Sequence, residues 1–309
     1  MSKKLLWILI PLAIFLVFIL LVVVGNLTKN PNDNNLTQTP NQNNQQQNFP
    51  TGDPTKGVSL SPISFSGNDF TNFFIKAKEA NSGLISWAGN WEELKKENSP
   101  AKVLISLSKQ YNFEPVIITN LPNSDEKNDY ITTISDFAKD NQVKYLGLGN
   151  EINSNYQKSY SETFSKVYDE IKKVSPNTQI FTIFQLEKMK QKDNWNLISD
   201  FQKADFISFT TYPVIIYQIP SEIPNGYYSE ITQKTTKQIA FTEVGWQRKN
   251  NEQWEFIKKF SSQTASMNPK FKIWPFLYDQ NVQIPFNTMG LLQKEQTTSE
   301  SFEEWKLIL

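Results

Sequence analysis

The chain has 309 residues, with 31 Lys and Arg against 31 Asp and Glu, and it contains neither His nor Cys. Absence of Cys excludes disulfides, thiolate metal sites and thiol nucleophiles, and absence of His excludes every Ser-His or Cys-His arrangement and every His-ligated metal. A formal charge of zero argues against a nucleic-acid surface, and what remains for chemistry is carboxylates, hydroxyls, amides, Lys and an aromatic set of 8 Trp, 11 Tyr and 22 Phe.

The first element in the chain is an apolar run of 20 residues, Leu5 to Val24, preceded by Lys3 and Lys4. At about 1.5 Å per residue it spans about 30 Å, a bilayer core, and it is longer than the apolar region of a cleaved signal peptide. Residues 1–25 are therefore expected to be an uncleaved transmembrane signal anchor, its partner the lipid bilayer. The two leading lysines put the N-terminus in the cytoplasm and the rest of the chain outside it. Residues 26–56 follow, with only Asn and Gln from Asn41 to Asn48 and with Pro31, Pro40, Pro50 and Pro54 spaced through them. Such a segment lacks the apolar content that offsets ordering entropy, and it reads as a flexible linker.

Residues 57–309 are expected to be one domain of about 250 residues, the usual size of an eight-stranded (β/α)8 TIM barrel. Short apolar runs at 57–65, 83–88, 114–119, 143–149, 179–185, 205–211, 238–243 and 271–277 read as strands buried on both faces. Helical stripes separate several of them. Phe70, Phe73, Phe74 and Ala77 form one stripe, and Ile131, Ile134, Phe137 and Ala138 a second. Phe164, Val167 and Ile171 form a third, Trp254, Ile257 and Phe260 a fourth, and Phe302 and Trp305 begin a last one. The stretches 187–204 and 214–237 carry no clear period. Alternation of this kind predicts a closed parallel α/β barrel, whose active site lies at the C-terminal ends of the strands.

Those ends are informative. Strand four ends in Gly149-Asn150-Glu151 and strand seven in Thr242-Glu243-Val244-Gly245-Trp246. Strand six ends in Thr211-Tyr212-Pro213, and strand eight holds Trp274 and leads to Tyr278 and Asp279. Trp87 and Trp91 lie around the end of strand two, and Asn120 follows strand three. Two glutamates on nearly opposite strands suit glycoside hydrolysis, where one carboxylic acid protonates the leaving oxygen and the other carboxylate attacks carbon or activates water. Each also has a plain alternative as a helix cap or surface ion pair. Glu187 and Asp279 read as surface or cleft-wall charges. Gly147-x-Gly149 lacks the third glycine of a nucleotide loop, since Ile152 stands in its place.

The strings Tyr145-Leu-Gly-Leu-Gly-Asn-Glu151 and Phe241-Thr-Glu-Val-Gly-Trp246, with Tyr212-Pro213 between them, resemble the clan A glycoside hydrolases. They are most similar to the plant-type β-1,3-glucanases and next to the endo-β-1,4-galactanases. The resemblance implies a retaining hydrolase of a β-linked polysaccharide or oligosaccharide, with Glu151 as acid/base and Glu243 as nucleophile. It implies that Asn150 bonds the sugar 2-hydroxyl, Tyr212 orients Glu243 and Trp274 floors the central subsite. Trp87, Trp91 and Trp246 are further sugar-platform candidates, though each by itself reads more readily as structural, and Asn120 and Tyr278 are further substrate contacts. Neither cofactor nor metal is required. Many clan members carry an Arg near the end of strand two and a His on strand four or six. Here the single Arg, Arg248, follows strand seven, so a Trp, an Asn or a Lys has to serve instead. The rival readings are a non-catalytic glycan- or protein-binding module of the same fold, and a transglycosylase.

Overall fold

Strand pairing runs unbroken around a ring. β1 (Asp53–Ser59), β2 (Ser82–Gly89), β3 (Glu114–Thr119), β4 (Tyr145–Leu148), β5 (Gln179–Gln185), β6 (Phe206–Thr211), β7 (Ile239–Val244) and β8 (Lys272–Trp274) form a closed barrel. All pairs are parallel, and β8 closes on β1 with Gly57 opposite Ile273. The structure, a computed structural model, describes residues 50–64 and 66–308. The expected anchor and most of the expected linker lie outside the described residues, and among those described no helix is long and apolar enough to cross a membrane. β1 begins at Asp53, so residues 53–56 belong to the barrel and not to the linker.

The helices are α1 (Gly67–Glu79), α2 (Pro100–Tyr111), α3 (Lys127–Asn141), α4 (Lys158–Val174), α5 (Leu186–Lys192), α6 (Glu230–Lys234), α7 (Glu252–Thr264) and α8 (Glu300–Leu307). α2 was not among the expected stripes. It is built as its sequence permits: Ser99 caps it by accepting from the Lys102 backbone, Pro100 opens it, and Asn112 ends it in the left-handed region. Ala101, Leu104, Ile105, Ser108 and Tyr111 form its buried face. The stretches without a period hold short pieces: α5, α6 and 3-10 turns at Trp195–Phe201, Pro213–Ile215 and Pro220–Glu222. Strand eight is shorter than expected because Pro275, which has no N–H to donate, interrupts it. Beyond the proline, β9 (Phe276–Tyr278) pairs with β10 (Gly290–Leu292) in a separate parallel ribbon.

Inward-facing residues at the strand starts plug one end of the barrel. Phe181 stacks on Phe206 at 4.6 Å, and Phe271 meets Phe206 edge-on at 5.6 Å and Tyr145 at 5.3 Å. Gly147 lies two residues beyond Tyr145, where a Cβ would stand 2.9 Å from the Phe181 ring. Leucine-sized side chains are thus excluded at the position that lets Phe181 fill the barrel. With its lower half closed by aromatics, the barrel leaves its open chemistry to the C-terminal ends.

Candidate active site

The chain leaves β4 through two unusual backbone conformations. Gly149 has φ +88° and Glu151, a non-glycine residue, has φ 47°. A side chain in the left-handed region is held there by its surroundings. The Gly149 N–H donates to the Thr119 carbonyl at 2.8 Å, and the Glu151 carbonyl accepts from the Ser154 N–H at 2.9 Å. Asn153, fully inside the turn, clamps it to the end of β5. Its amide donates to the Gln185 carbonyl at 2.9 Å and its oxygen accepts from the Gln185 N–H at 2.8 Å.

Glu243 reaches the same site through a register shift. Phe209 of β6 lies opposite Phe241 of β7, yet the next residue, Thr210, lies opposite Glu243. The extra residue is Thr242. Without the shift Thr210 would face Thr242, and Glu243 would alternate to the outside of the barrel. Thr210 donates its hydroxyl to the Glu151 carboxylate at 2.7 Å, and the Tyr212 hydroxyl donates to Glu243. Neighbouring positions at the exit of β6 thus hold one carboxylate each.

The electrostatics tie the pair together. Burial lifts the Glu243 carboxyl from the ordinary range to about 7; the Tyr212 hydroxyl opposes the rise and the charge on Glu151 adds to it. Burial also raises Glu151, opposed by the Lys188 ammonium and the Thr210 hydroxyl. Burial raises Tyr212 well above 10, and the charges of Glu243, Glu151 and Glu187 add to the shift. Tyr212 therefore stays protonated and donates. Two carboxyls that feel each other titrate as a pair, retaining a proton between them toward neutral pH.

Glu187 is not a surface charge. It is 0 % exposed and sits at the start of α5. It accepts from Gln185 at 2.6 Å, Thr211 at 2.7 Å and Tyr227 at 3.1 Å. The Tyr212 backbone N–H donates to it as well. Its function is internal: it fixes the exit of β6, from which Tyr212 reaches Glu243.

The aromatic candidates are placed differently from the expectation. Trp274 is 0 % exposed and points outward, because Ile273 beside it faces the barrel interior. Its ring packs 5.4 Å from Trp305 and its Nε1 donates to the Met289 carbonyl at 2.7 Å. It offers no face to a sugar at the centre. Trp246, also 0 % exposed, stacks on Phe256 of α7 at 5.2 Å. Trp91 is buried edge-on against Tyr130 of α3, and Trp87 is buried on the outward side of β2. Asn120 accepts from the Trp91 N–H at 3.0 Å, so it holds the turn after β2. Tyr278 is buried near Glu79 and Asp69 of α1 and is not coupled to the carboxylate pair. Asn150 is partly exposed beside Glu151, where a ligand can meet it. Arg248 does not face the pair: it is bonded to Asp279 at 2.7 Å and to the Gly290 carbonyl at 2.8 Å, joining the loops after β7 and β9.

Of the expected residues, the structure brings together Glu151, Glu243 and Tyr212. It adds Thr210, Glu187, Lys188 and Asn153. Thr210 was open to discovery as the inward neighbour of Tyr212. The others depend on how the β5 exit folds back, which no local pattern encodes. Among the described residues no group of acidic side chains is arranged to hold a metal ion.

Solved structures of glycoside hydrolases share the closed parallel barrel. A family 10 xylanase from Thermobacillus composti matches with a TM-score of 0.60 at 11% identity, over 82% of this chain and 96% of that one. A family 128 endo-β-1,3-glucanase from Amycolatopsis mediterranei matches with a TM-score of 0.51 at 15% identity, over 82% and 99%. The β-D-glucuronidase of Dictyoglomus thermophilum matches with a TM-score of 0.56 at 15% identity over 84% of this chain, which spans only 50% of that enzyme's length. No family model matches the sequence, and no curated protein matches it. At these identities the likeness establishes the fold.

Proposed function

We propose that the protein is a retaining glycoside hydrolase acting on a β-linked polysaccharide, with Glu243 as nucleophile and Glu151 as acid/base. The observation that carries the reading is the carboxylate pair: two half-buried carboxyls at the ends of β4 and β7, each held by a hydroxyl from the exit of β6. In the first step the Glu243 carboxylate attacks the anomeric carbon while Glu151 gives its proton to the leaving oxygen. In the second, Glu151 takes a proton from water, which displaces Glu243. Burial suits the acid, because it keeps a proton available at neutral pH; it works against ionisation of the nucleophile, where the Tyr212 hydroxyl opposes it. Asn150, partly exposed beside Glu151, would meet a sugar hydroxyl. The finer likeness in motif to plant-type β-1,3-glucanases points first to β-1,3-glucan, then to β-1,4-galactan.

The test is release of reducing ends from a panel of β-glucans, xylan and galactan, with the anomer of the first product read by proton NMR. Retention of the β-anomer is expected. Clean inversion would remove the nucleophile role from Glu243, and inertness of the folded protein on every substrate would favour a glycan-binding module.

Tyr212→Phe gives a second expected result. Its hydroxyl stabilises the charged form of Glu243, so its loss pushes that carboxyl further up. The acid limb of kcat/KM moves to higher pH by about one unit, since a hydrogen bond to a charged group is worth about 1.5–3 kcal/mol. A pH–rate profile of the variant checks it, and an unmoved acid limb would show that Tyr212 does not serve Glu243.

A further inference from the structure

In this chain the lone Arg is committed elsewhere and His is absent. The cation that bears on Glu151 is Lys188. It stands in the first turn of α5, and its backbone N–H donates to the Gln185 side chain at 2.6 Å, which caps that helix. Its Nζ donates to the Ser154 hydroxyl at 2.8 Å. Ser154 closes the turn that begins at Glu151, through the bond from its own N–H to the Glu151 carbonyl. The β5 exit thus grips the Glu151 turn at two points, Asn153 on the backbone of Gln185 and Lys188 on the side chain of Ser154.

We propose that Lys188 is a positioning residue for the acid/base, holding the turn that carries Glu151 and supplying the cation beside it. The inference rests on the glycosidase reading of the pair. The groups facing Glu151 come from three elements: Lys188 from α5, Thr210 and Tyr212 from the exit of β6, and Glu243 from β7. Thr210 and Tyr212 are neutral donors and Glu243 is an acid. Lys188 itself faces Glu151 and, along α5, Lys192. Without Lys188, Glu151 would be a half-buried acid next to a second carboxylate, and a weaker acid than it is beside the ammonium. The ammonium offsets part of that, leaving a proton that can be transferred at neutral pH and a carboxylate able to act as base in the second step. The Lys188 ammonium is itself shifted down by burial, with the charge of Glu151 working in the opposite direction.

The test uses the full chain labelled with ¹³C at glutamate carboxyls, the Glu151 resonance assigned by its loss in Glu151→Gln. In Lys188→Met and Lys188→Gln the Glu151 titration midpoint is expected to rise by roughly one unit, the lower end of the effect of an opposite charge at close range. The basic limb of kcat/KM shifts upward with it. Lys188→Arg keeps the charge and is expected to leave both where they are. Variants that fold as the parent does, by circular dichroism, with an unmoved Glu151 midpoint would overturn the proposal, as would an equal shift in Met and Arg variants. The titration needs no substrate, so it reports on Lys188 even if no glycan is cleaved; failure of hydrolysis by the parent protein would instead count against the functional reading.

Discussion

Glu243→Gln is expected to abolish hydrolysis, with kcat lower by on the order of 10⁴–10⁶, the scale on which removal of a nucleophile acts in other enzymes. Glu151→Gln costs on the order of 10²–10⁴, the range of general acid–base catalysis. The two losses differ in kind. An aryl glycoside with a very acidic leaving group departs without a proton, so Glu151→Gln should spare its first step and leave the second slow, giving a burst of released phenol. Glu243→Gln shows no burst with any leaving group, because no covalent intermediate forms. Steady-state and stopped-flow assays on paired substrates read both. Equal losses on good and poor leaving groups in Glu151→Gln would take the acid/base role away from it.

The Glu243 variant carries a second signature, in stability. Its carboxyl titrates at about 7 in the fold because burial disfavours the charge. The folded value is thus above that of the unfolded chain. Such a group's contribution is fully present below the unfolded value and is lost as pH rises through the folded one. Replacing Glu243 by Gln removes that loss. The variant is expected to match the parent near pH 4 and to exceed it above pH 8 by about 3–4 kcal/mol, one pKa unit being worth about 1.4 kcal/mol. Denaturant midpoints at the two pH values measure it. An active site that stabilises the protein when disarmed has given up stability for its chemistry.

The same pair shows what a sequence discloses and what it withholds. β3 and β5 run over 114–119 and 179–185 as their uninterrupted apolar runs indicate. The strand-end glutamates stood out because Gly-Asn-Glu and Thr-Glu each close such a run. Whether a side chain enters the barrel is another matter, since that depends on register. Glu243 faces inward only because Thr242 is an extra residue against β6. Trp274 faces outward because Ile273 takes the interior position, and no count along the sequence fixes that parity. Glu187 is a third case. Its donors Thr211 and Tyr227 arrive from the β6 exit and from the loop before α6. A carboxylate satisfied by distant hydroxyls is indistinguishable in sequence from one that faces water. The subsite-floor reading of Trp274 misled for a related reason. Large aromatics suit sugar platforms, but they suit equally the interface between barrel and helices, and here Trp246 and Trp274 fill that interface.

Trp274→Ala is where the two roles part. A subsite floor would be exposed, and its loss would raise KM while leaving stability nearly untouched. The observed tryptophan is 0 % exposed, between Phe256 of α7 and Trp305 of α8, and its Nε1 bonds the Met289 carbonyl. Truncation then removes the packing of two helices against β8 and leaves a buried carbonyl without a donor. The expected cost is about 3–5 kcal/mol, the range for a buried Trp or Phe cut to Ala. For a domain of this size that lowers Tm by on the order of 10 °C. KM of the remaining folded protein is expected to stay within about twofold, since β8 is not displaced at its inward face, where Ile273 packs. Trp274→Phe keeps much of the stacking and loses the indole donor, so it should fall between Ala and the parent in Tm. Calorimetry and initial rates on one preparation of each variant decide the matter: a large rise in KM with an unchanged Tm would return Trp274 to the sugar site.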